Sequence, residues 1–545
     1  MLIQPVFLKK PLLAACISWG MHGLVGAQAL TPLEPVLPAT GATTQFKISA
    51  FELKGDNPLS ADDSKAILAP FVQHDATLVT LQKATAALEE SLKSKGFPLH
   101  RVSLPPQDLG DKVTLVIVKF VIGKVTTEGN KYFTDDNIRA SVPELRPGEA
   151  PNFTKLAVQT AISNESPAKQ LQVSLKESEE ADKIDVKLIV KEAQPWGVAA
   201  SLSNTGSDST GQERFTLVGN HANLWGRDHQ FSGAYTTSPE RTGDVKQIGL
   251  NYRVPLYELG GVLGLSYTQS DVVGNFGAFT STGAGQTYGF NYSHYIAPVA
   301  GWRTYISFAL DEKIFNANRA NNGPLALGQP ALISSRPFSV GYSARVESDA
   351  ALWGFNADLA FNLPGGSGNN LTDYQTANAG SAAPDLRIST VSWKALRGGA
   401  NYLTAFANGW LWSLRGQFQY SPEALISGEQ FGIGGSSSVR GTTERPISGD
   451  SGVFASMELS TPEWQQGLRG VGFIDGGWVN YNGAAPVGSD QLLSVGLGLR
   501  FTKGDYGFNL DWGRILSGSV VPLAPNLRPP QSGDEKIHLN ISAKF

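Results

Sequence analysis

A chain of 545 residues is too long for one compact core, which implies at least two domains. Charged residues make up only 17% of it, against about 25% in ordinary soluble domains. With a formal net charge of −4 and no basic cluster, composition excludes nucleic acid as a partner. The single cysteine, Cys16, excludes a disulfide framework or a cysteine metal site in the rest of the chain.

The first 29 residues read as an export signal. Lys9 and Lys10 precede a mostly apolar run from Pro11 to Gly26, and Ala27-Gln28-Ala29 supplies small residues for cleavage before Leu30. A lipoprotein signal ending at Cys16 is the rival. It leaves too short an apolar stretch after Lys10, and apolar sequence continues beyond the cysteine. No later segment has the roughly 18 uninterrupted apolar residues of a membrane helix, so a membrane would have to be crossed by strands.

Residues 30–45 form a short proline-rich linker, and residues 46–195 then hold a repeat. In its first unit, 46–120, an alternating strand from Phe46 to Phe51 ends at Gly55-Asp56, and Ser60 caps a helix running to Val72. A longer helix, about Thr80 to Lys95, carries Leu81, Ala84, Leu88 and Leu92 on one stripe and stops at Gly96. Two strands follow, near 100–104 and 112–120. The second unit, 121–195, restarts the order 74 residues later, as Ile48 is matched by Ile122, Gly55 by Gly129 and Ser60 by Thr134.

From Trp196 the texture changes to alternating strands separated by Gly, Asn, Asp and Ser turns. Tyr288, Phe290 and Tyr292 alternate with Gly289, Asn291 and Ser293, and Tyr506 to Trp512 repeats the pattern. Sixteen strands are predicted, starting near residues 197, 214, 229, 246, 262, 286, 303, 337, 353, 388, 410, 453, 470, 492, 506 and 537. An even number suits a closed outer-membrane barrel, and their length approaches the ~9–11 residues of a tilted membrane strand. The fold class is therefore α+β repeats followed by an all-β transmembrane barrel over 196–545. The last strand alternates Ile537, Leu539, Ile541, Ala543 to an aromatic Phe545.

Two features interrupt the regular barrel pattern. A long Gly/Ser-rich segment, 421–452, contains SSSVRGTTERPISGDSG, and a strand two later contains GFIDGG. Alternation that points Ile474 and Trp478 to lipid turns Phe473, Asp475 and Gly477 into the lumen, while Arg440, on a loop, is either simply solvated or a geometrically selective partner for that carboxylate. Such a pair in a wet lumen is expected to fix a loop position rather than add much stability, and Gly441 and Gly477 are expected to let the two backbones approach.

The signal peptide, the paired repeats, the barrel, V-R-G in a long loop and F-x-D-x-G two strands later together resemble the TpsB transporters. These are the outer-membrane partners of two-partner secretion, of the haemolysin and filamentous-haemagglutinin secretion/activation type. The resemblance implies that the repeats are POTRA domains and that the V-R-G loop folds into the lumen, with Val439, Arg440 and Gly441 at its tip. It also implies that Arg440 pairs with Asp475 of the Phe473–Asp475–Gly477 strand motif. A terminal Phe resembles the signal read by the barrel-assembly machinery, which assigns that role to Phe545. This sequence departs from the family at Thr442, where an aromatic residue is usual, and residues 30–45 are too short and proline-rich for the family's plugging helix.

The implied function is a pore of the outer membrane, its repeats in the periplasm. It would bind an unfolded, TpsA-like exoprotein, translocate it to the cell surface or medium, and in some family members activate it. Outer-membrane lipid and the barrel-assembly machinery are the other expected partners, and no cofactor or metal is expected. A barrel-assembly factor of the same superfamily is the alternative. A passive diffusion porin leaves the repeats and the V-R-G loop without a purpose. No nucleophile–base set, P-loop or metal-ligand cluster suggests an enzyme.

Overall fold

The computed structural model describes residues 45–545 except 109–110, 209, 273, 277–278, 282–283, 317–331, 349, 378–384, 484–487 and 522–527. The expected export signal with Cys16, and the linker up to residue 44, lie outside the described residues.

Two small α/β layers come first. In one, β1 (Ala50–Gly55), β2 (His100–Ser103) and β3 (Lys112–Lys119) form a sheet in the order β1-β3-β2, with β1 parallel to β3. In the other, β4 (Val121–Glu128), β5 (Lys169–Glu177) and β6 (Lys183–Glu192) repeat that topology as β4-β6-β5. Helices α1 (Ala61–Leu68) and α2 (Leu78–Ser94) cover the first sheet, and α3 (Asp135–Ala140) and α4 (Phe153–Ser163) belong to the second.

The 74-residue offset has a physical content. Ser60 and Thr134 each cap a helix by accepting the backbone N–H three residues on. Gly55 and Gly129 end the first strand of each unit with φ of +90° and +89°. At each of them a Cβ would strike a carbonyl oxygen of the neighbouring strand, at 2.2 and 2.4 Å. The predicted stripe of α2 is fully buried against Ile48, Val113, Leu115 and Ile117. The first helix is shorter than expected, giving way after Leu68 to a 3₁₀ turn through Pro70.

The barrel closes with sixteen strands. The first is Trp196–Ser203 and the last Glu535–Lys544, and the segments Leu332–Ser335 and Pro337–Glu347 pair with the same neighbour, so they count as one interrupted strand. Closure pairs the backbone groups that hydrocarbon cannot solvate. Large apolar side chains point outward at alternate positions, among them Tyr288, Phe290, Phe308, Leu310, Ile474 and Trp478. The tenth strand begins at Lys394 rather than near 388. Ile388 is instead buried in a loop cap with Tyr374, Trp393, Leu425 and Ile426, built on a short helix, Leu371–Ala377, and the base of the V-R-G loop.

The seam between last and first strands is short, running from Asn540 opposite Ser203 to Lys544 opposite Ala199. Beyond it the side-chain amide of Asn204 stands in for backbone, donating to the Ile537 carbonyl (2.7 Å) and accepting from the Leu539 N–H (2.8 Å).

The second α/β layer is fixed directly to the barrel. Val158 and Ile162 of α4 pack on Val262 and Tyr295 of two barrel strands. Lys169 is wholly buried, its ammonium 2.6 Å from Asp228 in the turn after the second barrel strand. Tyr257, in the turn after the fourth barrel strand, donates to the same carboxylate (2.7 Å), and Asn137 donates to the Gly226 carbonyl (2.8 Å).

Candidate functional site: a loop seated in the barrel lumen

The V-R-G loop leaves the eleventh barrel strand, Leu411–Tyr420, and returns as the twelfth, Ser451–Ser460. Instead of standing out in solvent it forms a hairpin, Phe431–Ile433 paired with Ile447–Gly449. Ile433, Val439 and Ile447 of the hairpin are buried against Phe454, Val479, Leu492 and Ile515 of the barrel wall. A hairpin of this kind alone is marginal in water, so the wall supplies its stability.

Arg440 lies at the tip and is 2% exposed. Its Nε donates to Asp475 Oδ2 at 2.7 Å and its Nη2 to Oδ1 at 2.8 Å, a bidentate contact, while its backbone N–H donates to the same carboxylate at 3.1 Å. The guanidinium also lies 3.4 Å from the ring centroid of Phe473. The strand motif thus contributes twice, one side chain holding the charge and the other its flat face.

Glycine acts differently from the expectation. Gly441 and Gly477 do not meet one another. Gly441, at φ +102°, lies against the backbone of Gly513, where a Cβ would sit 3.0 Å from its carbonyl, and Gly477 makes room for Ile433. Nor is the Arg440 site wet, because Asp475 is as fully enclosed as its partner. Thr442, in place of the usual aromatic, is buried and ties the tip to itself. Its hydroxyl accepts from the Gly435 N–H (2.9 Å) and lies within donating distance of the Thr443 carbonyl (3.0 Å).

Other residues of the site escaped the sequence. Glu458 accepts from Arg440 Nη1, and Asp511 lies 3.6 Å from the same nitrogen. Arg500 pairs with Asp511 at 2.7 and 2.9 Å and approaches Glu458 at 3.7 Å. Arg415, opposite Ser456 in the wall, sets its guanidinium 5.4 Å from the Phe454 ring. Three guanidinium groups face three carboxylates, so the cluster is neutral, as burial requires. At the loop base, Glu429 is a second anchor, accepting from Lys313 (3.0 Å), Arg397 (2.8 Å) and Ser335 (2.6 Å). Alternation does put Glu458 and Ser456 on one face, but only strand register sets them beside Phe473 and Asp475.

Among the described residues, no group of His, Cys, Asp and Glu is arranged to hold a metal ion. The arrangement can hold a polar plug within a closed wall by side-chain contacts alone.

Comparison with known proteins agrees with this geometry. Residues 182–501 match the family described as haemolysin secretion/activation protein ShlB/FhaC/HecB, and residues 46–119 match the ShlB-type POTRA domain. The chain belongs to the haemolysin secretion/activation family.

Among curated relatives of this family member, the outer membrane transporter CdiB of Escherichia coli is 23% identical over 483 residues, 86% of this chain and 79% of that protein. CdiB of Dickeya dadantii is 26% identical over 445 residues, 79% of this chain and 76% of that protein. The solved structure of E. coli CdiB superposes with a TM-score of 0.68 at 19% identity, covering 94% of this chain and 92% of the other. That of Acinetobacter baumannii CdiB gives 0.66 at 17% identity, covering 95% and 93%. This protein is a two-partner secretion transporter of the outer membrane, with its POTRA repeats on the periplasmic side.

Proposed function

We propose that the protein accepts an unfolded, TpsA-like exoprotein in the periplasm and passes it through the barrel to the cell surface or medium. It acts as a conduit rather than an enzyme. Residues 1–29 are the export signal, 30–45 a linker, 46–120 and 121–195 the two POTRA domains, and 196–545 the barrel with its loop at 421–452. Strands β2 and β5 lie at sheet edges, and an unfolded chain can add to such an edge through main-chain bonds that tolerate many sequences. One observation carries the reading: the plug is held on the wall by side-chain contacts, chiefly Arg440 on Asp475, and its two strands pair with each other rather than with strands of the wall. It can therefore withdraw while the barrel stays closed.

The test is secretion of a co-expressed TpsA-like exoprotein, in cells with and without this chain. Loss of exoprotein from the medium, with normal levels of other outer-membrane barrels, is expected. A fall in those other barrels with secretion intact would instead identify a barrel-assembly factor.

Phe545 serves as the assembly signal in this proposal. Its ring is exposed on the barrel exterior, and its backbone donates to the Val198 carbonyl at 2.8 Å, extending the short seam. Phe545→Asp is expected to lower the amount of heat-modifiable, folded barrel several-fold. Wild-type abundance and migration of that variant would remove Phe545 from this role.

A further inference from the structure

We propose that His538 is a positioning residue for the loop tip that works only in its neutral form, so that protonation unseats the loop. The histidine lies in the last barrel strand and is buried. Its Nε2 is 3.1 Å from the backbone nitrogen of Gly441, the residue after Arg440. An amide nitrogen can only donate, so Nε2 must be the acceptor and the ring proton must sit on Nδ1. Nδ1 itself is buried with no hydrogen-bond partner among the described residues. The ring is therefore committed to one tautomer by one bond, and that bond is to the tip of the loop.

Gly441 has little freedom to find another acceptor. It is pressed on Gly513 at positive φ, and the preceding amide, of Arg440, is already taken by Asp475. A buried amide that loses its acceptor loses more than an exposed one, because water cannot replace the partner.

Protonation turns the contact round. Nε2–H would meet the Gly441 N–H, donor against donor, and a new cation would sit in the pocket of Arg440. The groups facing the ring decide whether that charge could be absorbed. From the loop comes Arg440, and from the thirteenth strand Asp475, both of whose oxygens are occupied by Arg440. Asp511, directly across from His538 in the fifteenth strand, is held by Arg500 of the fourteenth. Glu458 of the twelfth is shared by Arg440 and Arg500, and Lys536 on the histidine's own strand adds a further positive charge. Every carboxylate is already engaged, and the unengaged charge is positive. A second proton on His538 thus favours release of the tip.

The purified full-length protein in planar lipid bilayers tests this, with secretion measured in parallel. His538→Leu removes the acceptor and is expected to raise the population of unseated, higher-conductance states by roughly tenfold. His538→Gln offers an amide oxygen near the place of Nε2 and is expected to restore seating. Acidification from about pH 7.5 to about pH 4, carried well below the range where an ordinary histidine titrates, should unseat the wild-type loop and leave the glutamine variant flat. Should the leucine variant fail to fold, the comparison of wild type with glutamine across pH still decides. Identical pH profiles for those two, or a folded leucine variant gating as wild type does, would overturn the proposal.

Discussion

Arg440→Ala is expected to reduce secretion by on the order of tenfold or more while the barrel still inserts and migrates as a folded species. The wall is closed by strand pairing to which Arg440 contributes nothing, whereas the loop tip is fixed by this side chain. Removing it leaves Asp475 and Glu458 enclosed without their cation, a situation that typically costs about 3–5 kcal/mol when a buried pair is broken. The tip is the element free to move, so the strain is relieved there. Asp475→Ala should be milder, because Arg440 keeps Glu458 and the nearby Asp511. The double variant should be little worse than Arg440→Ala alone, since both changes break one contact. Exchanging the two residues should not rescue function, because an aspartate at 440 would face Glu458 and Asp511. Bilayer conductance and secretion assays check all four variants. Full secretion by Arg440→Ala, or strictly additive losses in the double variant, would show that the two residues do not act as a pair.

Much of this architecture is legible in the chain because membrane strands and amphipathic helices impose periods that composition cannot hide. Leu81, Ala84, Leu88 and Leu92 announce the buried stripe of α2, and the alternation of Ile474 and Trp478 with Phe473 and Asp475 assigns the two faces of the thirteenth strand. The start of the tenth strand is misjudged because Ile388 reads as strand by type, yet is buried within a loop cap whose existence depends on Tyr374 and Trp393. Glu458 and His538 are invisible for another reason. A charge or an imidazole in a barrel strand is ordinary lumen polarity until register sets it beside a loop residue, here 18 and 97 positions away. The sequence pattern suggests that Gly441 and Gly477 let their two backbones approach, whereas in the fold Gly441 lies against Gly513 and Gly477 against Ile433, partners that pattern alone does not name.

Lys169 is the extreme case of that blindness, and it carries the second large expected effect. In the run Lys-Gln-Leu-Gln it looks like a solvated strand residue, yet it is the most enclosed cation of the periplasmic part. Burial presses its ammonium below the ordinary lysine range, and Asp228 opposes that pressure from 2.6 Å. Lys169→Met is expected to destabilise the junction between the second α/β layer and the barrel by about 3–5 kcal/mol, because it leaves Asp228 enclosed with only the Tyr257 hydroxyl. The domain has its own core of Ile138, Leu156, Leu171 and Leu188, so it should remain folded and swing away rather than unravel. Limited proteolysis should then cut near residues 193–197, and secretion should fall, since cargo held by a detached domain is no longer presented at the barrel mouth. Asp228→Asn added to Lys169→Met removes the stranded charge, and asparagine tolerates the φ of +58° at this turn. The double variant is therefore expected to recover protease resistance and much of the secretion. A junction equally resistant in wild type and Lys169→Met, or a double variant no better than the single one, would mean that the apolar contacts of Val158 and Ile162 hold the domain without help from the buried pair.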